Sequence, residues 1–235
     1  MRGLLLAVVA AGLLAGCREQ VDRPVRQPAE GGLVFVTTLG GAPYTYWDEQ
    51  KRDYAGIDVE IARAAARRMG LPLEVRVLEF SKVMPALKSG EADFAAAAIT
   101  ITPSRRRDVA FSRPYASDGS AFLYRAADPA PTMPRAFNLR IGTQRVSVSH
   151  FYLCFHDVDP YCYVNYEEAL AAFRRGELDA VFYDAASIRE TVCASNGAYA
   201  ITPLETRENY GVAVRKDYPA LVEALDAVIA ERGRE

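Results

Sequence analysis

The chain has 235 residues, of which 28 are basic and 30 are acidic, and its formal net charge is −2. This balance, without a basic patch or interleaved basic and aromatic residues, argues against nucleic acid as a partner. The length allows one large domain or two lobes of about 100 residues, each able to bury a core.

The first 17 residues have the features of an export signal. A positive charge at Arg2 precedes an apolar run over residues 3–16, which is shorter than the roughly 20 residues of a membrane-spanning helix. Residues 13–17 resemble a bacterial lipobox, in which the cysteine is lipidated. We therefore predict a signal peptide over residues 1–17, a lipid anchor on Cys17 and a flexible tether over residues 18–32.

The next segment predicts alternating strands and helices. Residues 33–38 and 73–78 are apolar or β-branched, as in strands. Between them, Asp58 is the predicted N-cap of a helix that ends at Gly70. A second helix is expected to start at Ser81 and end before Gly90. The unbroken apolar run over residues 94–99 predicts a strand that is buried on both faces.

The second half repeats this alternation and gives fold class α/β. Residues 127–133 are a Pro-rich loop. The predicted strands cover residues 139–143, 180–183 and 210–215. Residues 109–115 and 121–124 are expected to carry the chain out of the first lobe. The predicted helices cover residues 148–155, 167–175, 185–194 and 219–232.

Two segments of the chain are near copies of each other. Residues 87–93 lead into an apolar strand that stops at Thr100, and residues 173–179 lead into another that stops at Asp184. Two copies of one element indicate two similar lobes. Because ligands bind outside the carboxyl ends of strands in open α/β sheets, Thr100 and Asp184 are expected to face one cleft.

Three cysteines remain after lipidation of Cys17, namely Cys154, Cys162 and Cys193. In an exported protein they permit one disulfide. Cys154 with Cys162 is the local pairing, and either can instead pair with Cys193. Residues 150–162 also hold both histidines, but their spacing matches no standard ligand pattern, so we predict no metal.

Six segments together resemble the family 3 solute-binding proteins, the polar amino-acid receptors of bacterial ABC importers. They are residues 56–62, 85–93, 99–105, 111–115, 176–184 and 210–216. The resemblance covers about residues 33–235 and implies a type II clamshell with discontinuous lobes. By this resemblance, lobe 1 is 33–114 plus 213–235, lobe 2 is 120–207, and the hinge is 115–119 and 208–212.

The resemblance also implies a site for an amino-acid headgroup. Arg105 matches the arginine that binds the ligand carboxylate, which suits its planar fork. Asp184 matches the acid that binds the ammonium. Thr100 matches an assisting hydroxyl, and Ala98 lies where a backbone carbonyl approaches the ligand.

Two further residues are weighed for ligand contact. Ser147 precedes the predicted helix from Val148 and can offer a hydroxyl beside the amides of a helix start. Tyr44 belongs to an aromatic stretch that suits a core or a cleft wall, and it is included as a candidate contact.

Four positions depart from the family pattern. Thr38 stands where several relatives carry an acid, which argues against a ligand with a cationic side chain. Gly41 stands where an aromatic covers the ligand, and Val146 and Val148 replace glycines. A small neutral or acidic ligand fits these changes better, as does a receptor that has lost transport.

The resulting hypothesis is a monomeric substrate-binding lipoprotein of an ABC importer, on the periplasmic or cell-surface side of a bacterial membrane. Its partners would be a small ligand and a membrane permease, without cofactor or catalysis. One alternative is an accessory protein of a periplasmic quinoprotein dehydrogenase. Another is an enzyme like cyclohexadienyl dehydratase, which would need an acid beyond Asp184 in the cleft; the matched segments contain none.

Overall fold

A computed structural model describes residues 31–233 of the chain. The predicted signal peptide, Cys17 and the tether up to residue 30 lie outside the described residues. Within residues 31–233, no helix has both the length and the apolar character that a bilayer crossing requires.

Strands and helices alternate along the described chain. The first half contains β1 (Leu33–Thr37), β2 (Tyr46–Asp48), β3 (Asp53–Ala55), α1 (Ile57–Met69), β4 (Leu73–Val77), α2 (Phe80–Ser89), β5 (Phe94–Ala95), α3 (Pro103–Asp108), β6 (Ala110–Phe111) and β7 (Ala116–Asp118). The second half contains β8 (Ser120–Arg125), α4 (Met133–Ala136), β9 (Ile141–Gln144), α5 (Val148–Phe155), β10 (Tyr161–Tyr163), α6 (Tyr166–Arg174), β11 (Ala180–Asp184), α7 (Ala185–Cys193), β12 (Tyr199–Ile201), β13 (Glu208–Tyr210), β14 (Ala213–Val214) and α8 (Pro219–Arg232).

The first sheet has the strand order β4-β1-β5-β14-β6. β1 is parallel to β4 and β5, whereas β14 is antiparallel to β5 and β6. Successive residues of β1 point to opposite faces, so Phe35 packs with α1 and α8 while Val36 packs with α2. We call this sheet with α1, α2, α3 and α8 the first lobe; it uses both ends of the described chain.

The second sheet has the order β10-β9-β11-β8-β12, with β9 parallel to β10 and β11 and with β8 antiparallel to β11 and β12. One face is covered by α6 and α7, where Leu170 and Ile188 are buried with Leu123. The other is covered by α4 and α5, where Leu153 packs with Phe122. We call this sheet with α4–α7 the second lobe.

Two chain segments connect the lobes and pair with each other. β7 and β13 form an antiparallel ribbon in which Tyr210 lies opposite Ala116. The predicted class, an α/β clamshell with a discontinuous first lobe and two hinge strands, is therefore confirmed. The residue limits given above for lobes and hinge stay a prediction.

The lobes are in contact across the cleft. The Ser187 hydroxyl, in the second lobe, donates a hydrogen bond of 3.1 Å to the carbonyl of Gly40, in the first. A Cβ added to Gly40 would lie 3.3 Å from the hydroxyl of Tyr183, so a glycine here permits close approach. The described conformation is therefore a closed one.

Three sequence expectations about local structure were wrong. α1 starts at Ile57 after Gly56, and Asp58 lies buried in its first turn instead of capping it. α2 starts at Phe80, with Glu79 and not Ser81 before it. The predicted strand over residues 94–99 stops at Ala95, because Ala98 has a positive φ of 47° that no strand accommodates.

Candidate functional site

A small cavity lies where the two lobes and the hinge meet. Its volume is about 10 Å³, roughly the space that one water molecule needs. The first lobe contributes Phe80, Ala97, Ala98, Thr100 and Arg105, the second contributes Gln144, Ser147, Val148, Ser149 and Asp184, and the hinge contributes Glu208. Five of the six residues predicted from the sequence therefore surround one cavity, and a larger ligand would require the lobes to separate.

Arg105 is held on α3 by the start of that helix. The hydroxyl of Thr102 accepts from the Arg105 backbone N–H at 3.2 Å and caps the helix. The guanidinium donates to the Thr100 carbonyl at 2.9 Å and lies 5.4 Å from the centroid of the Phe80 ring. These contacts fix the side chain while the rest of its donor fork stays available for a carboxylate.

Two opposing effects act on the pKa of Arg105. Burial lowers the pKa of Arg105, whereas the charges of Glu208 and Asp184 raise it. Arginine stays protonated in such a site. The cavity therefore contains one fixed cation near two acidic groups.

Asp184 ends β11 at the N-terminus of α7, but its side chain makes no capping hydrogen bond. It accepts instead from the hydroxyl of Tyr210 at 2.9 Å. Burial, and secondly the charge of Glu208, raise the pKa of Asp184 to about 8. An ammonium group entering the cavity would stabilise its ionised form.

Glu208 is an acidic residue of the cavity that the sequence reasoning missed. It is 7% exposed and accepts hydrogen bonds from Thr100 at 2.5 Å, Thr206 at 2.6 Å and Ser120 at 3.0 Å. The predicted hydroxyl of Thr100 thus points to the hinge. Thr206 is a near neighbour of Glu208 in the sequence, but Thr100 and Ser120 are 108 and 88 positions away, so the sequence did not show that they meet at its carboxylate.

A buried carboxylate lies near Ala98. Asp58 accepts hydrogen bonds from the hydroxyls of Tyr115 at 2.6 Å and Thr45 at 3.1 Å. Burial raises the pKa of Asp58 to about 6, although these hydrogen bonds and the nearby Ala98 backbone N–H lower it. Ala98 itself has a positive φ of 47° and lines the cavity.

Ser147 lines the cavity, but its hydroxyl is already used. It caps α5 by accepting from the His150 backbone N–H at 3.0 Å, and it donates to the Gln144 carbonyl at 2.7 Å. The amides at the start of α5 are thus the groups this segment can offer an anion. Gln144 ends β9, so the strand-end rule that selected Thr100 and Asp184 also applied to it.

Tyr44 does not line the cavity. It is buried against Tyr210, with ring centroids 5.6 Å apart in an edge-to-face arrangement. It belongs to a cluster with Ala98 that also contacts Ala186. Tyr44 therefore supports the closed hinge, and its place as a direct ligand contact is not supported in this conformation.

The cysteines of the second lobe are free thiols in the structure. Cys154, Cys162 and Cys193 are each exposed. Burial, and secondly the nearby Cys154, raise the pKa of Cys162. The predicted Cys154–Cys162 bond is not formed here and stays a prediction. Within residues 31–233, no group of three or more His, Cys, Asp or Glu residues is arranged to hold a metal.

Comparisons with known proteins agree with this architecture. The sequence pattern of the bacterial extracellular solute-binding proteins, family 3, matches residues 33–234. The ABC transporter arginine-binding protein 1 of Escherichia coli (strain K12) is 27% identical over 185 residues, covering 76% of each chain. The membrane-bound lytic murein transglycosylase F of Methylobacillus flagellatus is 35% identical over 115 residues, which are 48% of this chain and 24% of that protein.

A solved structure has the same fold. The arginine-bound form of truncated ArgBP from T. maritima superposes with a TM-score of 0.81 and is 27% identical. The alignment covers 86% of this chain and 96% of that one. The similarity therefore extends over both lobes.

Proposed function

This chain belongs to the bacterial extracellular solute-binding proteins, family 3, and we propose that it captures an amino acid or a related small carboxylate between its two lobes. The observation that carries the proposal is that Arg105 and Asp184, from different lobes, line one cavity. A zwitterionic headgroup needs one cation and one anion, and this pair supplies both once the ligand ammonium stabilises the ionised form of Asp184.

In the proposed complex, Arg105 binds the ligand carboxylate and Asp184 binds its ammonium. The Ala98 carbonyl and the amides at the start of α5 provide further hydrogen bonds. Since the closed cavity measures about 10 Å³, the ligand enters an open form and then stabilises the closed one. Binding therefore changes the conformation of the protein and leaves the ligand chemically unaltered.

The ligand-bound form would deliver its cargo to an ABC permease, and Cys17 would hold the protein on the outer side of a bacterial membrane. The homologous arginine-binding protein of an ABC transporter supports the import role. The lipid anchor rests on the residues before Cys17 alone.

A thermal-shift screen tests the proposal. Purified full-length chain is mixed with each common amino acid and with small carboxylates, beside Arg105→Ala. A ligand that binds the native state raises the unfolding temperature by mass action, and we expect this with the wild type alone. Stabilisation of both proteins to the same extent would contradict the assignment of Arg105.

Glu208 favours a second candidate, an eliminating enzyme of the cyclohexadienyl dehydratase kind. Such an enzyme protonates a leaving hydroxyl with a positioned acid, and Glu208 adds a carboxyl group to the cavity beside Asp184. Turnover of prephenate or arogenate by the wild type, abolished in Glu208→Gln, would establish it. The accessory role beside a quinoprotein dehydrogenase stays an untested alternative, which co-purification with such an enzyme would support.

A further inference from the structure

A second, larger cavity lies at the mouth of the cleft. Its volume is about 400 Å³, and its walls come from both lobes. Phe80, Met84 and Pro85 of α2 form one apolar side, and Val146, Val148 and Phe151 form the other. We call this cavity the mouth groove. Its size is that of a small-molecule site.

The mouth groove adjoins the inner cavity directly. Phe80, Arg105 and Val148 line both spaces. Arg105 therefore stands on the wall between a polar cavity of about 10 Å³ and an apolar one of about 400 Å³. A ligand whose carboxylate rests on Arg105 has room for its remaining atoms on the groove side.

The polar groups of the mouth groove do not suit a cationic tail. Its acidic residue is Asp108, which already forms an ion pair of 3.2 Å with Lys88. Asp184 and Glu208 line the inner cavity and are absent from the groove lining. A guanidinium or ammonium tail in the groove would thus lose water without gaining a free carboxylate.

The apolar walls are accessible at the rim. Val146 is 44% exposed and Phe151 is 57% exposed. Val146 also holds a positive φ of 62°, which a β-branched residue adopts only at a cost. Apolar side chains that are exposed to solvent at the edge of a cleft would lose unfavourable contact with water when an apolar ligand covers them.

We infer that the ligand is a carboxylate with an uncharged apolar tail, an aromatic or branched aliphatic amino acid, whose tail occupies the mouth groove. This inference rests on the proposed function, because it assumes that Arg105 receives the carboxylate. It separates this chain from the arginine-binding relatives described above.

Calorimetric titration of the full-length chain tests the inference with L-phenylalanine, L-leucine, L-arginine and L-lysine. Two variants form a matched pair. Phe151→Asp puts a carboxylate into the groove, whereas Phe155→Asp makes the same change one turn along α5, at a residue that is 83% exposed and outside the groove lining. Thermal unfolding verifies that both variants are folded.

We expect L-phenylalanine or L-leucine to bind at least about tenfold more tightly than L-arginine or L-lysine, a difference of about 1.4 kcal/mol. Phe151→Asp should weaken the affinity for the apolar ligands about tenfold or more, whereas Phe155→Asp should change that affinity by less than about twofold. Tighter binding of arginine or lysine to the wild type, or equal effects of the two variants, would overturn the inference.

The two proposals fail in different ways. If arginine or lysine binds most tightly and Arg105→Ala abolishes that binding, the proposed function holds and the apolar tail is wrong. If the wild type binds none of the amino acids or small carboxylates, the proposed function is wrong and this inference falls with it.

Discussion

The guanidinium of Arg105 and the carboxyl group of Asp184 line the same cavity, although α3 carries one in the first lobe and β11 carries the other in the second. The charge of Asp184 raises the pKa of Arg105 against the effect of burial. Closure of the lobes therefore brings together the two groups that, once Asp184 is ionised, supply the complementary charges that an amino-acid headgroup requires.

Ligand binding should depend on pH through Asp184. Its pKa is about 8 in the closed protein, and the ionised form is the one that binds an ammonium. Below pH 8, binding must therefore expel a proton, and the dissociation constant should rise by up to about tenfold for each unit that the pH falls. Calorimetry in buffers of different ionisation enthalpy should detect the released proton.

Asp184→Asn is the variant for this prediction and Asp179→Asn its control, since Asp179 pairs with Arg140 near the surface. Binding to Asp184→Asn should be weak and should have little pH dependence between pH 6 and 8. An unchanged pH profile in Asp184→Asn would contradict the role of Asp184.

The same residue should affect stability. An unfolded aspartate titrates near 3.8, but Asp184 holds its proton up to about pH 8 in the fold. Its contribution to the free energy of unfolding is thus greatest below pH 4 and falls between pH 4 and 8. Urea unfolding at a series of pH values should show a smaller fall in Asp184→Asn than in the wild type.

Glu208 should stabilise the junction of the lobes. Its carboxylate accepts from three hydroxyls at 2.5–3.0 Å, and such charge-assisted bonds contribute roughly 1.5–3 kcal/mol each when lost singly. Glu208→Gln should lower the free energy of unfolding by about 2–4 kcal/mol, measured by urea denaturation. Glu190→Gln, at an exposed site, should change it by less than about 0.5 kcal/mol.

Gly119 should be required for close contact between the two chain segments that connect the lobes. A Cβ added there would lie 2.1 Å from the backbone oxygen of Thr206. Gly119→Ala should therefore push these two segments apart and lower the free energy of unfolding by about 1–3 kcal/mol. Gly31→Ala is the control, because an added Cβ meets no atom within 4 Å. Equal unfolding midpoints for the two variants would refute the requirement.

The lipid anchor is tested by fractionation. Cys17→Ser removes the acceptor of the predicted modification and should move the protein from the membrane to the soluble fraction. Detection by immunoblot after high-salt washing distinguishes a covalent anchor from adsorption. Continued membrane association of the variant would contradict the lipobox prediction.

The limits of α5 and α8 agree with the predicted helices. Their end signals are local, since the Ser147 side chain caps α5 and Pro219 begins α8. β5 is shorter than predicted, because the apolar run over residues 94–99 gives no sign of the positive φ at Ala98.

The candidate site was predictable where it lies at strand ends or in motifs that resemble the family. Thr100, Arg105 and Asp184 fall in such segments and line the cavity. Glu208 was missed because two of its three donors, Ser120 and Thr100, are 88 and 108 positions away. Tyr44 lies in the buried cluster at the hinge. The sequence could not show this, because an aromatic stretch does not reveal which ring faces the cleft.

The most direct test of the account is calorimetric titration of the strongest stabiliser from the screen into wild type, Arg105→Ala and Arg106→Ala. Arg106 is the matched control, since its guanidinium lies over Phe111 outside the cavity lining. The account predicts a loss of about 2–4 kcal/mol, which is roughly thirty- to a thousandfold in affinity, for Arg105→Ala alone. Unchanged affinity in Arg105→Ala would contradict it.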